Sequence, residues 1–268
     1  MSDQYGRRLS ASRIGLAVAG KLLRRFDRTS ADRVDTFVAN SSFVRDRIRR
    51  YYDRDAVVVH PPVDVDDFCA TRPRGDHFLV VSELTAYKRI DLAAAAFSRL
   101  NLPLTIIGDG PDRARVQDAA TGRHVRLIGR QDWQTVRRHF ETARGFVFPG
   151  VEDFGMTPVE AQAAGCPVIA LRRGGALETV TEGRTGVFFE DQTVDSMCRG
   201  VMRFTRQNFD AADCVTDARR FRPALFERRM RKVLGLQSTV LPGAVPPPTM
   251  VASASVSPGS VPSGFATA

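Results

Sequence analysis

Long apolar runs are missing from this sequence. Ahead of residue 238, no stretch of 18 uncharged apolar residues occurs, so we expect no membrane-spanning helix. The opening residues, MSDQYGRRLSAS, lack the apolar centre of a secretory signal. Cysteine is scarce, and Cys69, Cys166, Cys198 and Cys214 lie too far apart for metal-ligand spacing. The simplest interpretation is a reduced, cytoplasmic protein without a metal site.

Lysine is also scarce. Of the 39 basic residues, 36 are arginine, and the net charge is +9. Residues 1–50 alone carry an excess of seven positive charges. A solvated basic face and an attraction to phosphate or anionic lipid both remain open as explanations. Aromatic and basic residues do not interleave as they do in single-strand-binding proteins, so we expect no nucleic-acid partner.

The two ends of the chain differ from its middle. Residues 1–35 predict an Arg-rich amphipathic helix, with apolar positions at Ile14, Leu16, Val18, Leu22, Leu23 and Phe26. Residues 238–268 contain no charged residue and 6 of the 15 prolines. Such a composition cannot bury enough apolar surface to offset the loss of chain entropy, so we expect a disordered tail. The segment 36–237 is long enough for one substantial core.

Short apolar runs alternate with helical stretches in this middle segment. The runs are 36–40, 56–60, 77–82, 104–108, 125–129, 145–149 and 168–171. They are β-branched and do not alternate with polar residues, which is typical of strands covered on both faces. Strands that alternate with helices of about 10 to 15 residues predict an α/β fold with a doubly wound parallel sheet.

The stretch EDFGMTPVEAQAAGCPVIA (152–170) contains two glutamates eight positions apart. Thr157, Pro158 and Glu160 fit a capping box, in which Thr is the N-cap and Pro is the first helical residue. This spacing by itself leaves open whether Glu160 has only this structural role. Glu152 precedes the helix, in a loop at the carboxyl end of a parallel strand. Open α/β sheets bind their ligands at that end.

The same loop combines groups suited to phosphates and to hydroxyls. Gly155 allows a close approach of the backbone to a ligand, and the helix that follows offers amides and a positive dipole end to an anion. A second helix start is expected after Gly174 and Gly175. Carboxylates accept hydrogen bonds from hydroxyl groups. A sugar nucleotide would satisfy both kinds of group.

Longer motifs then suggest a family. FVFPGVEDFGMTPVEAQAAGCPVIALRRGGALETV resembles the donor-binding motif of the family 4 (group 1) retaining nucleotide-sugar glycosyltransferases. VSELTAYKRIDLAAAAF, TIIGDGP and VRLIGR are similar to those of its bacterial GDP-mannose-type mannosyltransferases. The resemblance spans roughly residues 20–235. It implies a GT-B fold with a Rossmann-like donor domain. It also implies transfer of a hexose, with retention, to a glycan or lipid-linked acceptor in polysaccharide biosynthesis. No cofactor is expected for this reaction.

The resemblance also implies roles for individual residues. Glu152 would bind the sugar hydroxyls, Glu160 the ribose hydroxyls and Lys88 the diphosphate. Glu152 and Lys88 would form the catalytic set. The other expected donor-binding positions are Arg89, Gly108, Arg130, Asp153, Phe154, Gly155, Met156 and Thr157. A lone lysine is more often solvated than functional, and Gly108 could equally belong to a plain turn.

The sequence departs from the family pattern in two ways. Glu83 occupies a position where many relatives carry an arginine that shares the diphosphate. Either Arg89 or a second backbone site compensates, or the donor binds more weakly. Most of the family's N-terminal acceptor domain is also missing, and residues 1–35 would be its helical remnant.

This second departure leaves two functions open. One is a glycosyltransferase that transfers hexose. The other is a truncated, non-catalytic module that binds nucleotide-sugar and needs a partner acceptor domain. The four histidines are scattered along the chain, so no general base is assigned. The basic N-terminal helix adds an expected peripheral contact with the inner face of a membrane.

Overall fold

The computed structural model describes residues 19–20 and 22–236. Helix α1 covers residues 22–31. The helices that follow are α2 (Ser42–Tyr52), α3 (Ile90–Leu100), α4 (Arg113–Ala119), α5 (Trp133–Thr142), α6 (Met156–Ala163), α7 (Ala176–Thr179), α8 (Val194–Thr205), α9 (Ala211–Ala218) and α10 (Pro223–Val233). The strands are β1 (Phe37–Ala39), β2 (Ala56–Val58), β3 (Phe78–Val81), β4 (Leu104–Ile107), β5 (Val125–Gly129), β6 (Gly145–Phe148), β7 (Val168–Leu171) and β8 (Gly186–Phe189).

Six of the strands form one sheet in the order β5-β4-β3-β6-β7-β8, and all neighbours are parallel. The order runs outward in both directions from the central pair of β3 and β6, so the direction of winding reverses between them. This arrangement confirms the predicted doubly wound α/β sheet. In such sheets, ligands bind outside the carboxyl ends of the strands at the point of reversal.

Strands β1 and β2 form a separate parallel pair joined by α2. The βαβ connection was expected, but the prediction that runs 36–40 and 56–60 belong to the main sheet is wrong. An apolar run indicates a strand without indicating its neighbour, because pairing depends on residues distant in the sequence. We call residues 37–60 the β1–α2–β2 unit.

The predicted terminal segments fall largely outside the described residues. This applies to positions 1–18 of the expected N-terminal helix and to the whole tail 238–268. The part of the helix that is described, 22–31, is helical as expected. The proposed boundaries at 35/36 and 237/238 stay predictions. None of the helices in the described part has both the length and the apolar character needed to cross a bilayer.

Helices cover both faces of the main sheet. Along β3, Phe78 and Val80 face a cluster built from α3, α4 and α8, whereas Leu79 faces a cluster built from α5 and α6. The central strands are buried on both sides, which explains their uninterrupted apolar sequences. A third, smaller cluster packs α6 and α9 against residues 63–65. The two helical layers fix where each strand ends, and therefore where the connecting loops meet.

Candidate functional site

A cleft of about 580 Å³ lies at the carboxyl ends of β3, β4 and β5. Its lining residues are Val81, Ser82, Glu83, Lys88, Ile107, Gly108, Asp109, Arg130, Gln131, Val136 and Thr157. Four of the expected site residues are therefore together here, namely Lys88, Gly108, Arg130 and Thr157. Glu83 lines the same cleft. Acidic and basic side chains are equal in number among these residues, two of each.

Lys88 and Glu152 meet at the point where the winding of the sheet reverses. Lys88 follows β3 and Glu152 follows β6, and their Nζ and Oε1 atoms are 3.4 Å apart. Both side chains are largely buried, with 19% and 25% exposure. Gly150 allows this approach, because a Cβ atom there would lie 2.9 Å from the Lys88 Cα. The two residues expected to act on the sugar and the diphosphate are thus adjacent.

Helix α6 begins earlier than the capping box predicted. Its N-cap is Gly155, at φ 86°, and Met156 is its first residue. No side chain caps the helix, so the assignment of Thr157 as N-cap is wrong. Glycine tolerates this left-handed conformation, which lets the chain enter the helix two residues sooner. Thr157 is therefore already within the first turn and lines the cleft instead.

Several backbone amides at this helix start have no acceptor in the part of the chain that the structure describes. Within the described residues, the amides of Phe154, Gly155 and Met156 donate no hydrogen bond. The first amides of any helix lack intrahelical acceptors, and here no side chain replaces them. Together with the positive end of the helix dipole, they form a site suited to an anion.

Glu160 lies one helical turn after Thr157, on the same face of α6. It is not among the residues that line the cleft. Its carboxyl group has no hydrogen bond or ion pair with any residue the structure describes. Burial raises the pKa of this group from 4.5 to about 7. A half-buried carboxylate without a protein partner is expected where a ligand supplies the hydrogen bonds.

Three other expected site residues have their side chains engaged elsewhere. Arg89 donates to Asp91 at 3.1 Å and does not line the cleft, so this geometry does not support its compensation for Glu83. Asp153 pairs with Arg47 of α2 at 2.6 Å. Phe154 is 3% exposed, with its ring in the third cluster. Its expected contribution, a backbone amide, is unaffected by this burial.

The second helix start, at α7, contacts the loop that follows β6. The amide of Gly175 donates to the carbonyl oxygen of Glu152 at 2.9 Å. A Cβ atom at Gly175 would come within 2.2 Å of the Phe154 Cα. The start of α7 therefore packs directly against the loop 152–155, which we call the donor loop. The Gly175 amide therefore holds this loop, and the expectation that other amides at this helix start bind a ligand stays a prediction.

Sequence reasoning missed several residues of this region. Gln131 and Val136 line the cleft after β5, and their position after a parallel strand could have indicated them. Glu178 and His60, of which His60 stacks on Phe154, carry no such local signal. Their hydrogen bond joins positions 118 residues apart in the chain.

Comparison with known proteins identifies the family of this chain. Residues 70–221 match the family described as glycosyl transferases group 1. The chain is 32% identical over 217 residues to a GDP-mannose-dependent alpha-(1-6)-phosphatidylinositol monomannoside mannosyltransferase of Mycolicibacterium smegmatis, covering 69% of this chain and 56% of that protein. The chain spans about half the length of the curated relatives it matches.

Two solved structures share the fold. The apo form of the lipopolysaccharide outer core galactosyltransferase WaaB has a TM-score of 0.65 at 22% identity, covering 75% of this chain and 62% of that one. Anabaena HepE in complex with UDP and glucose has a TM-score of 0.66 at 17% identity, covering 79% and 66%. Such neighbours support the predicted GT-B-type fold. Because the family match covers more than half of its residues, the chain belongs to the group 1 glycosyl transferases.

Proposed function

We propose that this chain binds a nucleoside-diphosphate sugar in the cleft and donor loop, as the donor half of a retaining hexosyltransferase. The observation that carries the proposal is the contact between Lys88 and Glu152, at the reversal point of the sheet and beside the unbonded amides of the α6 start. A cation and amides suit a diphosphate, and a carboxylate suits sugar hydroxyls.

Each part of the donor would then have its own residues. Lys88 and the amides of Gly155 and Met156 bind the diphosphate and stabilise the charge that develops as it departs. Glu152 accepts hydrogen bonds from the sugar. Glu160 accepts those of the ribose, and Arg130 lies further along the cleft. The chemistry requires no cofactor or metal in this proposal, so a chelator should leave donor binding unchanged.

Glu83 weakens this arrangement electrostatically. It lines the same cleft as Lys88, and a carboxylate close to a diphosphate is unfavourable. Because Arg89 is paired with Asp91, the backbone amides are the groups that compensate. We therefore expect weaker donor binding than in relatives with an arginine at this position.

GDP-mannose is the donor we propose, with a glycan or lipid-linked acceptor in polysaccharide biosynthesis. The support is the mannosyltransferase of Mycolicibacterium smegmatis, whose name includes this donor. Structural neighbours bound to UDP and glucose make UDP-glucose the alternative donor to compare. We propose a cytoplasmic site of action, with α1 as a peripheral membrane contact, because its Leu22, Leu23 and Phe26 are exposed beside arginines.

Calorimetry tests the donor proposal. GDP-mannose and UDP-glucose are titrated separately into the wild-type chain and Lys88→Ala, with Lys232→Ala on α10 as a matched control. Loss of a charge-assisted contact should weaken binding by about tenfold or more in Lys88→Ala only. Absence of binding to both donors by the wild type, or equal affinity in Lys88→Ala, would contradict the proposal.

A second candidate is a binding module that needs a partner acceptor domain. It is favoured by apolar side chains exposed on α1 and the β1–α2–β2 unit, including Phe26, Val38 and Val57, since parallel strands are normally covered on both faces. Without a positioned acceptor, donor binding does not bring the reactants together. We therefore expect the purified 268-residue chain to bind the donor with little or no transfer. Multiple-turnover transfer to a lipid-linked acceptor would exclude this candidate.

A further inference from the structure

Glu178, in the short helix α7, uses both carboxylate oxygens to hold a distant segment. Its Oε1 accepts a hydrogen bond from the amide of Ser42 at 2.8 Å. Its Oε2 accepts one from the Ser42 hydroxyl at 3.3 Å and lies 2.8 Å from the His60 Nε2. The Glu178 side chain is only 18% exposed. A carboxylate at the start of α2 is stabilised by the amides and the dipole of that helix. The negative charge of Glu178 is therefore favourable at this position.

His60 connects Glu178 to the donor loop. Its ring stacks on Phe154, with centroids 5.5 Å apart and planes at 28°, and meets Phe221 edge-on at 5.4 Å. Phe154 directly precedes Gly155, the N-cap of α6. A displacement of the His60 ring would therefore displace the residue that sets the direction of the unbonded amides.

The other residues of the donor loop are also attached on two sides. Asp153 pairs with Arg47 of α2, and the Glu152 carbonyl accepts from Gly175 at the start of α7. The donor loop thus lies between α7 and the β1–α2–β2 unit. Glu178 links these two supports directly. It is part of α7, and its carboxylate bonds to Ser42 and His60 of the β1–α2–β2 unit.

We propose that Glu178 and His60 are positioning residues for the donor loop, which hold its amides where they can bind the diphosphate of the donor. The proposal rests on the proposed function for the identity of the ligand. The position of the β1–α2–β2 unit would then control the affinity for the diphosphate through His60. The base and ribose, which bind further along the cleft and on α6, would be unaffected.

Hydrogen exchange in the ligand-free chain tests the positioning itself. In His60→Ala and Glu178→Ala, peptides covering 150–160 should exchange several-fold faster, because the loop loses a packed support. His60→Phe keeps a ring against Phe154 and should restore slow exchange. Glu227→Ala, which removes a surface ion pair on α10, is the control for loss of a glutamate. Wild-type exchange rates in folded His60→Ala would overturn the proposal, and so would wild-type rates in Glu178→Ala if His60→Ala fails to fold.

Binding distinguishes positioning from a general loss of stability. GDP and GMP, or UDP and UMP if the wild type prefers uridine, are titrated into each variant. His60→Ala should bind the diphosphate about tenfold more weakly, because misplaced amides lose their contact with it. Its affinity for the monophosphate should change less than about twofold, because the groups that bind base and ribose stay in place.

The results separate the two proposals. An equal loss for both nucleotides, or for neither, would overturn the positioning role. If the wild type binds no nucleotide, the proposed function fails, while the exchange rates of the loop still decide whether His60 and Glu178 hold it.

Discussion

The Glu160 carboxylate destabilises the ligand-free folded protein, whereas we expect it to favour ligand binding. Burial raises the pKa of this carboxyl from 4.5 to about 7, and no described residue compensates its charge. In the ligand-free protein, the stability associated with the protonated group is complete below about pH 4.5. It is lost as the pH rises through 7, because the folded state must then hold an unpaired, half-buried charge. Ribose hydroxyls that donate to the carboxylate would offset this cost.

Glu160→Gln should therefore stabilise the ligand-free chain at high pH. We expect a gain of about 1 to 3 kcal/mol in the free energy of unfolding at pH 8, and a much smaller gain at pH 5. Urea denaturation at the two pH values measures this difference. The same variant should bind the donor more weakly at pH 8. An identical stability change at both pH values, with unchanged affinity, would leave the ribose role without support.

The sequence could not reveal this environment. Thr157, Pro158 and Glu160 have the spacing of a capping box, and that local pattern predicted Thr157 as the N-cap and Pro158 as the first helical residue. The structure starts the helix at Met156 because Gly155, packed against the Phe148 ring, adopts a positive φ. The capping-box pattern is present in the sequence, but the tertiary contact of the neighbouring Gly155 determines where the helix begins.

At the scale of elements, Gly155 at the start of α6 can be compared with Gly122, which lies between α4 and β5. Gly155 and Gly122 have φ values of 86° and 85°, so alanine is similarly strained at both. At Gly155 a Cβ atom would lie 3.0 Å from the Phe148 ring, whereas at Gly122 it would meet nothing within 4 Å. Only Gly155 is part of the donor loop.

Gly155→Ala and Gly122→Ala should therefore differ in binding more than in stability. Each should lower the free energy of unfolding by about 1 to 2 kcal/mol, as measured by chemical denaturation. Only Gly155→Ala should lose donor affinity, by about tenfold, because it displaces the amides that bind the diphosphate. Equal affinities in the two variants, measured by calorimetry, would argue against a role for these amides.

A histidine pair links β3 to α5 at the opposite end of the sheet. His77 and His139 have ring centroids 5.5 Å apart, and the His77 Nε2 and His139 Nδ1 atoms are buried without a hydrogen bond among the described residues. Burial lowers the pKa of both imidazoles below 6.5, and the charge of Arg126 lowers both further. Below pH 6.5 the unfolded chain therefore takes up protons more readily than the folded protein.

We expect this pair to make the protein acid-sensitive. The contribution of this pair to stability should be complete above pH 6.5 and decline as the pH falls below it. His139→Phe keeps a ring against His77 and removes one titrating group, so its melting temperature should fall less between pH 7.5 and 5.5 than that of the wild type. His124→Phe changes an exposed histidine and serves as the control. A decline as steep in His139→Phe as in the wild type would contradict the explanation.

For the whole molecule, the sequence predicted the class of fold better than the connections within it. Uniformly apolar runs such as 104–108 and 168–171 identified buried parallel strands, because burial on both faces leaves a local signature. The separate pairing of β1 with β2, and the contact of Glu178 with His60, depend on residues far apart in the chain. No local pattern encodes them, and they are the contacts that place the donor loop.

The central claim is that the donor binds across the reversal point of the sheet, with its diphosphate at the start of α6. A crystal structure of the chain with bound GDP tests it most directly. We predict phosphate oxygens within hydrogen-bonding distance of the Lys88 Nζ and the amides of Gly155 and Met156, and ribose hydroxyls against the Glu160 carboxylate. A nucleotide bound elsewhere on the chain, or one whose phosphates face away from α6, would contradict the account.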